Sequence, residues 1–307
     1  MHSFLRSIGF SERHITEYDI KKLLDDIYPH YEQMVSVIGK DRKTVFMELS
    51  KSFGKGFGLR VCGEQDPYGF HRLTYFPYLS GSGVTSEENV AIQMRASGDS
   101  YSGIVDDGRV GMSLIFALQN PGDYRRELQL GTLEKGRIST TLSALALSGM
   151  ILLPVQENKD AEEENLQFYN KRSRLVAAAK SGNPRAMEQL TIQDMDLYTM
   201  LERRTSREDI LSIVETYFMP YGMECDQYRI LGKILEIREE RNMHTEESVV
   251  ILTLLCNGMR FPVCINRKDI IGEPTIGCRF KGNIWLQGRI NFRQKSREKS
   301  AQIESTT

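Results

Sequence analysis

The residues best suited to chemistry fall in three places along the 307-residue chain. Glu64, Asp66 and His71 flank the turn Asp66-Pro67-Tyr68-Gly69, and Asp106-Asp107 stand at a second turn. Carboxylates converging with a histidine can move protons or hold a divalent ion, so these five residues are the candidate site of a hydrolase-type enzyme. The competing reading is structural, because acidic residues in turns accept backbone hydrogen bonds. In the third place Tyr228, Phe261, Phe280 and Trp285 are interleaved with Arg229, Arg260, Arg279, Lys281 and Arg289. Exposed on a basic surface, such aromatics stack single-stranded bases, worth about 1–3 kcal/mol each; facing inward, they are a core. Arg279, Lys281, Trp285 and Arg289 are the expected partner-binding residues, for a protein or a nucleic acid.

Other chemistries lack their fingerprints. Gly54-Lys55-Gly56-Phe57-Gly58 and Ser80-Gly81-Ser82-Gly83-Val84-Thr85 are glycine-rich, but neither has the spacing with which a phosphate loop presents its N–H groups, and both read as hairpin turns. Neither Ser80-Gly81 nor Ser102-Gly103 forms a nucleophile elbow. The five cysteines contain no CxxC pair and the five histidines no HxxxH spacing, so no metal and no cofactor is expected, and the thiols read as reduced core residues. No apolar run approaches the roughly 18 residues of a membrane span. The first ten residues lack a cleavable signal, since Arg6 interrupts their short apolar stretch. A cytoplasmic protein of formal net charge −1 is expected, acidic in its middle and basic in its last third.

The elements that must carry the C-terminal residues are strands. Asn257-Gly258 suits a two-residue type I′ turn. It sets Leu254 opposite Phe261, Leu252 opposite Val263, Val250 opposite Ile265 and Cys256 opposite Met259. Gly282-Asn283 reads as a second tight turn, with Phe280 opposite Trp285. Tyr228 to Ile237 reads as a long strand with Gly232 at a bulge or bend. Five strands in this run predict a small barrel of the oligonucleotide-binding (OB-like) type.

Upstream, Phe4, Leu5, Ile8 and Phe10 are available to dock on the body. Ile20, Leu23, Leu24 and Ile27 make the apolar face of a helix capped by Thr16 and stopped by Pro29. From Lys43 the period changes to two, with strands near 45–49, 59–64, 70–78, 90–94, 110–118, 127–132 and 137–155. The polar run from Gln156 ends the sheet. Helices follow, one closed by Gly182 and the next capped by Asn183 with Pro184 at its first position. The chain is thus expected to be α+β: an antiparallel-sheet lobe over 1–156, a helical connector over 157–222, a small β-barrel over 223–292 and a disordered basic tail over 293–307.

His2-Ser3-Phe4-Leu5-Arg6-Ser7-Ile8-Gly9-Phe10 at the start and Phe280-Lys281-Gly282-Asn283-Ile284-Trp285-Leu286-Gln287-Gly288 near the end resemble a family of bacterial proteins recorded only as a domain of unknown function. The resemblance covers nearly the whole chain. It implies a cytoplasmic, bacterial setting and a full-length unit, and it brings no activity, substrate or catalytic residue. The favoured reading is a non-enzymatic binding or scaffold protein acting through its C-terminal β lobe; the alternative is the acidic/histidine enzyme site.

Overall fold

The computed structural model describes residues 2–11, 15–39, 43–131, 138–155, 171, 174–176, 178–179, 181–192, 214–223 and 225–292. It is a mixed α+β structure, mostly sheet. The helix α1, Glu17–Ile27, starts in a capping box in which the Thr16 hydroxyl and the Asp19 carboxylate satisfy each other's backbone N–H groups. Its apolar side buries Ile20, Leu23, Leu24 and Ile27.

Four strands follow as an antiparallel meander, β1 (Gln33–Ile38), β2 (Val45–Gly54), β3 (Phe57–Asp66) and β4 (Gly69–Leu79), in the order β1-β2-β3-β4. Strand β1 has no counterpart among the sequence expectations. Strands β5 (Val90–Met94), β6 (Tyr101–Asp107) and β7 (Met112–Leu118) form a second meander. Residues 127–129, expected to open a strand, instead end the helix α2, Pro121–Gln129. Proline is tolerated at the first helical position, and Glu48 of β2 accepts a hydrogen bond from the backbone N–H of Gly122 at 2.8 Å. The expected strand after Arg137 is β8, Ser139–Leu152.

The remaining strands are β9 (Tyr217–Pro220), β10 (Gln227–Arg241), β11 (Ser248–Cys256), β12 (Met259–Asn266), β13 (Ile270–Ile271) and β14 (Arg279–Asn291). The β11–β12 hairpin has the expected register throughout, from Cys256 opposite Met259 to Val250 opposite Ile265. Its turn residues Asn257 and Gly258 both take positive φ, 48° and 73°. In β10 the register shift falls between Ile234 and Glu236, just past Gly232.

Two further expectations are overturned. Gly282-Asn283 makes no turn, because β14 runs straight through it and pairs with both β10 and β8. Glycine is required there for a different reason: a Cβ on Gly282 would lie 2.7 Å from the Phe280 ring, and one on Gly149 of β8 would lie 2.1 Å from it. The barrel also differs from the expected one. Five strands close in the order β8-β12-β11-β10-β14 and back to β8, with β8 parallel to β12 and antiparallel to β14. The barrel therefore takes one strand from before residue 156 and is not contained within 223–292. Asn183 caps a helical stretch over 184–192, accepting from the N–H of Arg185 at 3.1 Å. Most of the expected connector and the 293–307 tail lie outside the described residues.

There are two main cores. Inside the barrel, Leu142, Ala144, Ile230, Leu252, Phe261, Phe280 and Leu286 meet, and β7 adds Leu114 and Phe116. The second core lies between the barrel's outer surface and the four-stranded sheet. Leu145, Val249, Ile251, Cys264 and Trp285 of the barrel pack there with α1 and with Phe4, Leu5, Ile8 and Phe10. No helix among the described residues is long and apolar enough to cross a membrane.

Candidate functional site

Alternation along β14 turns Phe280, Ile284, Leu286 and Ile290 into the barrel and Arg279, Lys281, Trp285 and Arg289 outward. The four expected partner-binding residues thus share a strand face but not an environment. Arg279 is 5% exposed: its Nε donates to the Leu153 carbonyl at 2.9 Å and its Nη1 to the Val214 carbonyl at 2.8 Å. Burial lowers the pKa of its guanidinium. Trp285 is 7% exposed, because the N-terminal segment lies over it. His2 packs on its indole at 4.8 Å between ring centroids and Phe4 at 5.3 Å. Its indole N–H donates to Asp226 Oδ2 at 2.7 Å, and Arg95 neutralises the same carboxylate. Burial, opposed by the nearby Asp226 charge, pushes the His2 imidazole down to about 4. Arg289 is exposed and lies 3.4 Å from Asp123. Lys281 is half-buried and has no carboxylate partner among the described residues.

The acidic and histidine candidates occupy two separate hairpins. In the β3–β4 turn Asp66 Oδ1 accepts from the N–H groups of Tyr68 and Gly69 at 2.7 and 2.9 Å, while Oδ2 lies 3.2 Å from the exposed His71 ring. These hydrogen bonds, helped by His71 and opposed by desolvation, hold the Asp66 carboxyl below the usual range. Glu64 is paired in register with His71 across the hairpin. At the end of β6, Asp107 is buried and held by the Arg109 fork at 2.8 and 2.6 Å and by Ser86 at 2.7 Å. Asp106 accepts from Ser113. Asp66 and Asp107 are each committed to local structure, as acids at turns commonly are.

Lys281 belongs to a different constellation, on the part of the barrel's outer face that the four-stranded sheet leaves open. Ile271 of β13 pairs in register with Met150 of β8, which pairs with Lys281. The next outward row runs Ser148, Asn283, Arg229 and Met219 across β8, β14, β10 and β9. Ile271 is 65% and Met150 41% exposed, and Met219, Leu153 and Ile276 are exposed as well. Arg229 donates from Nε to Asn283 Oδ1 at 3.2 Å and lies 4.8 Å from the Tyr221 ring. The inward row between these two contains Gly149 and Gly282, whose missing side chains admit the Phe280 ring. The strip combines flexible apolar side chains with two cations, which suits contact with an apolar surface bearing carboxylates. Sequence reasoning found Lys281 and Arg229 but missed Met150 and Ile271. Their signal was the alternation of β8 past Ser148, usable only with the β13 register in hand.

Residues 5–288 match the model of a family described as "Domain of unknown function, E. rectale Gene description (DUF3881)". No curated protein and no solved structure matches the chain.

Proposed function

Since the chain belongs to the DUF3881 family, whose description carries no activity, we propose its function from its own surface: a non-enzymatic, cytoplasmic binding or scaffold protein that takes a protein partner on the open outer face of its barrel. The observation that carries this reading is the strip of Ile271, Met150, Lys281, Asn283, Arg229 and Met219, contiguous in register over five strands. Exposed apolar groups gathered on one face mark interaction surfaces more often than singly scattered ones do. A protein is favoured over a nucleic acid because base stacking needs exposed aromatic faces, whereas Trp285 is covered by His2 and Phe4 and the apolar members of the strip, Ile271, Met150 and Met219, are not aromatic. The analogy to barrels of the oligonucleotide-binding type rests on strand number and closure. All five cysteines are free thiols, which suits a reducing compartment.

Quantitative capture of partners at native expression tests the proposal, comparing the wild type with Met150→Asp and Lys281→Glu. Both side chains point outward, so folding should be unaffected, and the specific partner should be lost from each variant. A partner retained by both would refute the strip as the binding surface. Tight, steeply salt-dependent binding of a labelled oligonucleotide would move the reading to nucleic acid.

A further inference from the structure

We propose that the cleft between α1 and β4, separate from the barrel's strip, binds a small aromatic carboxylate. The cleft has a volume of about 400 Å³, within the range of pockets that hold small molecules. The buried side chains of Ile20 and Leu24 line it together with Tyr75, and Tyr18 stands at its edge, 74% exposed. Two tyrosines facing one cleft favour a flat ring, which gains from stacked or edge contacts with theirs.

The charges select the other end of the ligand. Lys21 follows Tyr18 by three residues and so lies on the same side of α1. It is exposed and has no carboxylate partner among the described residues. Arg72 of β4 also lines the cleft, and its Nη1 is held by Asp25 at 3.1 Å. One such contact leaves most of the guanidinium's five donors for a ligand. Glu17 lines the cleft as well, so with Asp25 two carboxylates stand beside the two cations. A site with that balance accepts one negative charge more readily than two, which favours a carboxylate over a phosphate monoester. The wall is well ordered from behind: the Tyr75 hydroxyl accepts from the backbone N–H of His2 at 3.2 Å, and His2 is in turn packed on Trp285.

The test is calorimetric titration of the full chain with 2-naphthoate and, separately, with AMP as the aromatic phosphate. Saturable binding of 2-naphthoate is expected, with at least tenfold weaker affinity in Lys21→Glu and at least fivefold in Tyr18→Ala. Tyr18→Phe should bind within twofold of wild type, because stacking needs the ring and not the hydroxyl. Lys55→Glu, at the β2–β3 turn, should bind as wild type does, which separates a local contact from a change in overall charge. Tyr18 and Lys21 are exposed, so urea midpoints equal to the wild type's are expected for both variants. The proposal is overturned by absence of saturable heat up to millimolar 2-naphthoate, by unchanged affinity in Lys21→Glu or Tyr18→Ala, or by a preference for AMP.

Discussion

Replacing Gly149 with alanine should destabilise the barrel through a single contact. A Cβ at this position would lie 2.1 Å from Cε2 and 2.5 Å from Cζ of Phe280, separations that no non-bonded pair of carbon atoms sustains. The ring is fully buried, with no open surface to move into, and a second side chain cannot be added on its own strand either, since a Cβ on Gly282 would stand 2.7 Å from it. The ring must therefore leave its rotamer or β8 must shift against β14, and overpacking of this kind costs about 1–3 kcal/mol. Phe280→Ala alone removes the ring and leaves a cavity, costing about 3–5 kcal/mol. In the double variant the new methyl points into the space the ring vacated, so Gly149→Ala should cost almost nothing there. The coupling energy should then equal the cost of the single Gly149 substitution. Urea unfolding read by the single tryptophan, which is buried at position 285, measures all four corners of the cycle. Additivity to within about 0.5 kcal/mol, the behaviour of independent sites, would refute the claim that these glycines exist to admit the ring.

Three further outcomes follow from the buried polar groups. His2 is held below its ordinary value, at about 4, so the unfolded chain takes up its proton first. Its contribution to stability is complete above about pH 6.5 and is lost as pH falls towards 4, by no more than about 3 kcal/mol. His2→Asn should flatten that part of the profile, and an unchanged pH dependence would contradict the burial argument. Glu48 is buried against Arg60 and accepts from the N–H of Gly122, so Glu48→Gln, which strands a buried guanidinium, should cost about 3–5 kcal/mol in urea unfolding. The loss should be smaller in the Glu48→Gln, Arg60→Met double variant. Burial pushes the thiols of Cys62, Cys256 and Cys264 far up, whereas Cys225 is exposed. A disulfide reagent should modify Cys225 quickly and these three only on unfolding; fast labelling of any of them in the native state would count against the packing described.

What the sequence made legible was local. The β11–β12 hairpin was readable because Asn257-Gly258 and the alternation of Val250, Leu252 and Leu254 lie within ten residues of one another. The same logic misled at Gly282-Asn283, where a dipeptide equally good for a turn serves a ring contact whose other wall, Gly149, is more than a hundred residues away. Glu127-Leu128-Gln129 read as strand because the cap on α2 comes from Glu48 of a distant sheet. Of the candidate site, Lys281 was visible in composition, but the outward face of β14 was not, because a turn at Gly282-Asn283 sets Arg279 and Lys281 on the face opposite Trp285 and Arg289, whereas the continuous strand puts all four on one face. Trp285 was not placeable, since whether it meets solvent or His2 depends on the path of the first residues. Met150 and Ile271 became neighbours only through the parallel pairing of β13 with β8.

Strand β14 pairs with β10, β8 and β7, and it is the last of the barrel strands to leave the ribosome. Both edges of β8 are open until β12 and β13 are made, and the edge that takes β14 stays open while well over a hundred further residues are translated. Such long-range closure is slow and leaves strand edges open to wrong pairing. A nascent chain stalled at residue 278 should therefore be a chaperone client, and release of the next 13 residues should end that dependence.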